Sequence, residues 1–251
     1  MYLFWFLFFW ILILFTDMIR RYAFLAWTVI LVIPVLYFPF WLQHDKITYF
    51  FSLKFPLVLL GAVWFLMLRY TRLGNRKWPL VFLYSLTIIN ILAAVYHDYQ
   101  SGYYLNTIAG VLLIFSFPNF NHIEIKGEYN KKELTWNIPF FWIFCYTLWN
   151  WSFCYSNWFL ERKSMALILL VSIFFGIIKR KRWLEMRYYS LFLYMLTFYY
   201  DITFFRELHG PVSLNKELIN FFQYTSLVCT FLYTIYFYVN VFKKFKKKEL
   251  L

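Results

Sequence analysis

The sequence predicts an all-α, polytopic integral membrane bundle of about nine transmembrane segments, and three observations predict it. Of 251 residues, 63% are hydrophobic and only 15% charged, against about half and about a quarter in a soluble domain. The apolar residues are gathered into nine runs separated by short polar breaks, most of them near the roughly 20 residues that cross a bilayer. The basic residues are segregated: of 25 Lys and Arg, nineteen fall in alternate loops and the C-terminal tail. That asymmetry is the mark of positively charged cytoplasmic loops. A soluble enzyme and a disordered chain are both excluded by composition.

The runs follow in order. Tyr2 to Met18 lacks a basic n-region and a small-residue cleavage site, so it reads as a retained anchor. Tyr22 to Leu42, Pro79 to Tyr96, Ile138 to Tyr155, Tyr188 to Phe205 and Leu218 to Phe242 are long enough to cross. Phe55 to Leu68, Tyr103 to Phe117 and Ser164 to Ile178 are short, and need interfacial aromatics or a re-entrant path. Charge alternation puts the N-terminus outside and the C-terminus in the cytoplasm. If the first run lies on the surface, eight crossings remain and the N-terminus moves inside.

The longest polar stretch, Asn119 to Asn137, carries Gly127 and the alternation His122, Glu124, Lys126, which reads as a short hairpin or irregular loop. No linker divides the chain, so residues 1–251 are read as one transmembrane domain with a basic tail over 243–251. Twelve Trp suit interfacial belts. Cys145, Cys154 and Cys229 sit in apolar runs and form neither a disulfide framework nor a CxxC motif. The tail FKKFKKKELL follows a span directly, so its expected partner is the anionic cytoplasmic leaflet and not nucleic acid. Self-association or another membrane partner is compatible with the sequence.

Polar residues inside apolar runs fall into stripes. Asn150, Cys154, Asn157 and Glu161 share one helical face, as do Thr87, Asn90, Ala94 and His97. Tyr194, Thr197 and Asp201 form a third stripe, and Asn220, Gln223 and Thr230 a fourth. Polar groups are costly against lipid, so these faces should turn inward. The stripes become acidic and His-bearing toward the outer side, which predicts an outward-facing polar pocket. Its expected catalytic residues are His97, Asp98 and Asp201, since an imidazole near carboxylates can act as a general base. Asn90, Asn106, Asn150, Asn157, Glu161, Arg206 and Gln223 are expected to bind substrate. The bland account of any single Asn or Thr is a helix-to-helix hydrogen bond. His44 and Asp45 read as an ordinary loop pair. No ligand spacing calls for a metal and no motif for a cofactor: there is no P-loop, GxGxxG, HExxH or GxSxG.

At YHDYQSGYYLN and YTLWNWSFCYSNW the chain resembles an uncharacterised family of bacterial polytopic membrane proteins of unknown function. That resemblance implies a bacterial inner-membrane location and no particular activity. A looser similarity is to multispan lipid hydrolases of the lysoplasmalogenase group, with no motif aligned and no residue carried over. The expectation from sequence is therefore a membrane enzyme acting on a lipid or lipid-linked substrate. The alternatives are a small-solute transporter or channel and a non-catalytic assembly or scaffold protein.

Overall fold

The computed structural model describes residues 2–36, 49–127, 132–157, 162–200 and 215–248. The helices are α1 (Tyr2–Arg21), α2 (Ala23–Trp27, passing into a π turn over Thr28–Val32), α3 (Tyr49–Tyr70), α4 (Trp78–Gln100) and α5 (Tyr104–Phe115). After the strands β1 (Ile123–Lys126) and β2 (Glu133–Trp136) come α6 (Phe140–Asn157), α7 (Arg162–Ile178), α8 (Trp183–Tyr200) and α9 (Lys216–Lys248). Each of the nine apolar runs falls on one of these helices. The expected hairpin forms as an antiparallel pair with Ile123 opposite Trp136, and Gly127 leaves β1 at a φ of +111° that only glycine adopts without strain. It is the one departure from an all-helical chain among the described residues.

Three helical stretches are long and apolar enough to cross a membrane: Ser52–Tyr70, Trp78–Gln100 and Lys216–Lys243. Phe6–Arg21 and Ala23–Leu36 would make a fourth if taken together, but the chain bends by 111° between them. The third run is longer than the sequence indicates, because Lys54 and Pro56 lie inside α3 and not ahead of it. With 12 residues, α5 reaches only about 18 Å.

The centre of the molecule is α8. Every residue from Trp183 to Met195 is buried, a helix enclosed on all sides. One wall is α3, which comes so close at Gly61 that an added Cβ would lie 2.0 Å from a Tyr188 ring carbon. On the other side, α4 turns back into α5 through Gly102 at φ +80°. Two indoles one heptad apart then fasten α6 to α5: Trp142 Nε1 donates to Leu113 O at 3.1 Å and Trp149 Nε1 to Asn106 O at 2.9 Å. Gly110 leaves room for the second of them. Along α9, Gln223, Ser226, Thr230 and Thr234 are buried while Phe221, Tyr224, Phe231 and Tyr236 are exposed. The fourth stripe thus runs through Ser226 and Thr234, and Asn220 is exposed instead of inward.

The two ends of the bundle differ. Arg20, Arg69, Lys132, Glu133, Lys179 and Arg182, from four alternate breaks between the runs, converge at one end. There Lys179 pairs with Asp17 at 2.5 Å, and Arg182 and Arg20 both meet Glu133. At the opposite end the α4–α5 and α6–α7 breaks meet, with Tyr103 Oη donating to Ser156 O at 3.1 Å. This is the alternation that the basic residues imply.

Candidate functional site

At the end near α5, Asp98 is wholly buried and both carboxylate oxygens are occupied. Asn106 Nδ2 donates to Oδ2 at 2.6 Å, and Asn157 Nδ2 donates to Oδ1 at 2.7 Å. The tight turn at Gly102 makes this possible, since it brings position 106 back beside position 98. Three of the expected residues are therefore together, as a tie joining α4, α5 and α6. His97 is not part of it: its ring is half-buried on a different face of α4, edge-on to Phe153 at 5.8 Å. Neighbouring residues on a helix point apart, and the tie uses Asp98 without the imidazole.

The remaining candidates separate. Asn150 is buried, and its amide donates to Tyr146 O of its own helix at 3.0 Å. Gln223 is buried on α9. Glu161, Asp201 and Arg206 lie outside the described residues. Asn90 is buried halfway along α4, and its backbone carbonyl accepts from Lys54 Nζ at 2.6 Å.

Lys54 opens a second, mid-depth site that sequence reasoning missed. Its ammonium approaches Arg187 of α8 closely enough for the two charges to repel, with Cys154 of α6 in the same neighbourhood. Arg187 is only 6% exposed, and its Nε and Nη1 have no hydrogen-bond acceptor. Asn90 Oδ1 is buried without a donor as well. Beside them Tyr188 Oη lies 3.5 Å from the Thr87 hydroxyl. Two cations inside a helical bundle, one with unfilled donors, are expensive to keep. The available signal was Arg187 itself, four residues into a helix and yet counted as a loop charge.

Below this level the bundle is tied shut by Arg69. Its Nη1 donates to Glu185 Oε1 at 2.8 Å and to Arg20 O at 2.7 Å, and its Nε to Lys132 O at 3.0 Å. Lys132 Nζ in turn donates to Thr71 O and Asn75 Oδ1. Outside the seal, Phe140, Ile177, Ile178, Lys179, Arg180 and Lys181 line a cleft of about 650 Å³ with an apolar wall and a basic rim. Among the described residues, no three His, Cys, Asp or Glu side chains converge as metal ligands.

The model of a family of unknown function, DUF5692, matches residues 1–104 and 102–250. The chain belongs to that family. The two matched stretches meet in the turn between α4 and α5, beside the Asp98 tie. No curated protein and no solved structure matches the chain. Membership therefore assigns no activity, and the chemistry has to be argued from the interior itself.

Proposed function

We propose that this chain is a multi-pass membrane protein that admits a small polar solute to a site at mid-depth, as a carrier or channel does. The Lys54 ammonium on the Asn90 carbonyl, halfway along α4, carries the reading. Ionisable groups in the middle of a bundle mark a solute path by default, and carriers bind near the midplane. The distribution of polarity supports the membrane placement. Enclosed α8 holds Glu185 and Arg187, whereas outward faces carry Phe6, Ile11, Phe141 and Tyr236, the reverse of a soluble protein. The basic end then meets the cytoplasm, as in a bacterial inner membrane, with anionic headgroups at the Arg180 cleft. Since the Arg69 seal closes that end, the interior opens outward.

An enzyme acting on a lipid at the outer face is the second reading, and half-buried His97 is the observation that favours it. Asp98 does not add to it, because its oxygens are engaged by two amides.

Cysteine accessibility tests the proposal. In a chain with Cys145, Cys154 and Cys229 replaced, Asn90→Cys should react with a membrane-impermeant maleimide in intact cells, and Lys77→Cys only in inverted vesicles. An unreactive position 90 from both sides, with position 77 labelled, would show a dry interior and end the carrier reading. Labelling of position 77 from outside would reverse the orientation.

A further inference from the structure

The mid-depth cations define the chemistry of what enters, so the following rests on the reading that the interior admits a substrate. A guanidinium stays charged at any accessible pH and offers five N–H donors. In Arg187 the donors on Nε and Nη1 meet no acceptor, in a side chain that is nine-tenths buried. The nearest carboxylate in sequence, Glu185, is committed to Arg69. The other enclosed or half-enclosed carboxylates described are committed too: Asp17 to Arg20, Arg21 and Lys179, Glu133 to Arg20 and Arg182, and Asp98 to its two asparagines. None of these seven ion pairs involves Arg187.

Lys54 adds a second positive charge to the same space, held in place by the Asn90 carbonyl. A carbonyl orients an ammonium without neutralising it. Two neighbouring cations in a medium of low polarity are stable together only with an anion near both. Charge matching selects its class, since a phosphate group with two ionised oxygens carries roughly −1.5 to −2 at neutral pH. A guanidinium recognises its oxygens with directed donors and a lysine does so as a point charge. A monocarboxylate would leave one cation uncompensated.

We propose that Arg187 and Lys54, with Asn90 between them, form a binding site for a phosphate group at mid-depth of the bundle. The phosphate is either inorganic or borne by a solute, or it is the headgroup of a lipid drawn in from the outer leaflet, and the two sources share this recognition. Arg187 supplies the directed hydrogen bonds and Lys54 the second charge.

The test uses the full-length protein purified in a neutral detergent, with thermal unfolding as the readout. Inorganic phosphate should raise Tm by several degrees over chloride at equal ionic strength, since a ligand at about 100 times its Kd stabilises the native state strongly. Arg187→Gln should abolish the shift, Arg187→Lys should keep part of it, and Lys54→Gln should weaken phosphate binding by tenfold or more. Lys54→Gln also serves if Arg187→Gln does not fold. A short-chain phosphatidic acid below its micelle concentration, with phosphatidylcholine as control, separates the sources. A shift with phosphatidic acid and none with phosphate assigns the site to a lipid headgroup, and a shift with both assigns it to the phosphate itself. No shift with either, or a shift undiminished in Arg187→Gln and Lys54→Gln, overturns the site. If position 90 is labelled and phosphate does not bind, the carrier reading survives without this ligand. If phosphate binds through Arg187 while position 90 is unreactive, the site stands and the carrier reading falls.

Discussion

Replacing Glu185 with Ala strands a buried arginine, and the structure sets how much that should cost. The Arg69 and Glu185 side chains are 6% and 2% exposed and meet at 2.8 Å. Removing one partner of a buried ion pair costs about 3–5 kcal/mol, because the other charge is left uncompensated. Arg69 would keep its bonds to Arg20 O and Lys132 O, which places the expectation at the lower end, about 3 kcal/mol. The double variant Arg69→Met, Glu185→Met removes both charges and should lose less. Its cost is the two backbone carbonyls left without the guanidinium, about 1–2 kcal/mol, partly relieved at Arg20 O by the Tyr70 hydroxyl 3.5 Å away. The double should therefore be more stable than Glu185→Ala alone. Equilibrium denaturation in detergent, followed by tryptophan fluorescence, measures all three proteins where the transition is two-state. The same substitution loosens the inner seal, so Asn90→Cys should become reactive in inverted vesicles. A loss below about 1 kcal/mol for Glu185→Ala, against the expected buried-pair penalty, would refute the seal. So would a double variant less stable than the single.

Two further substitutions test the packing around the site, by the same unfolding measurement. Gly61→Ala puts a methyl group into the Tyr188 ring and should cost about 1–3 kcal/mol, with Tyr188→Leu in the same chain recovering part of it; stability within about 0.5 kcal/mol of the parent, the range of an ordinary surface change, would refute the close approach. Asp98→Leu leaves the Asn106 and Asn157 amides without their acceptor and should cost about 2–4 kcal/mol. A fully stable Asp98→Leu protein that has lost function would overturn the structural role and restore a chemical one.

The helices were legible because long apolar runs can be little else, and the hairpin because His122, Glu124 and Lys126 alternate ahead of a glycine. The inward turn of Thr87, Asn90, Asn150 and Cys154 followed from helical spacing and the cost of polar groups on an apolar face. Pairing was not legible. Asp98 looked like a partner for His97 by adjacency, but Gly102 folds the chain so that the asparagine eight residues on reaches it first. The Asp17–Lys179 contact spans 162 positions, and nothing local announces it.

The interior cations were hidden for a physical reason. Counting Lys and Arg by loop assigns each charge to the place where its Cα leaves the hydrophobic run, with Lys54 on one side of the bundle and Arg187 on the other. Both have stems several bonds long, and in α3 and α8 those stems bring the charges to the same level, beside Asn90. Hydropathy misleads in the same direction. It selects segments of α3, α4 and α9 as the most apolar lengths, and each of these keeps a face at the outside. The enclosed helix escapes that test because its surroundings are other side chains: Glu185 meets Arg69, Ser190 Oγ meets the Arg187 carbonyl, and Tyr188 meets Thr87. In a bundle whose solvent is lipid, the least apolar helix belongs at the centre, so a functional charge is best sought in the run that hydropathy ranks low. Arg187 in α8 is that charge, and its unfilled donors are the feature on which the proposed site stands.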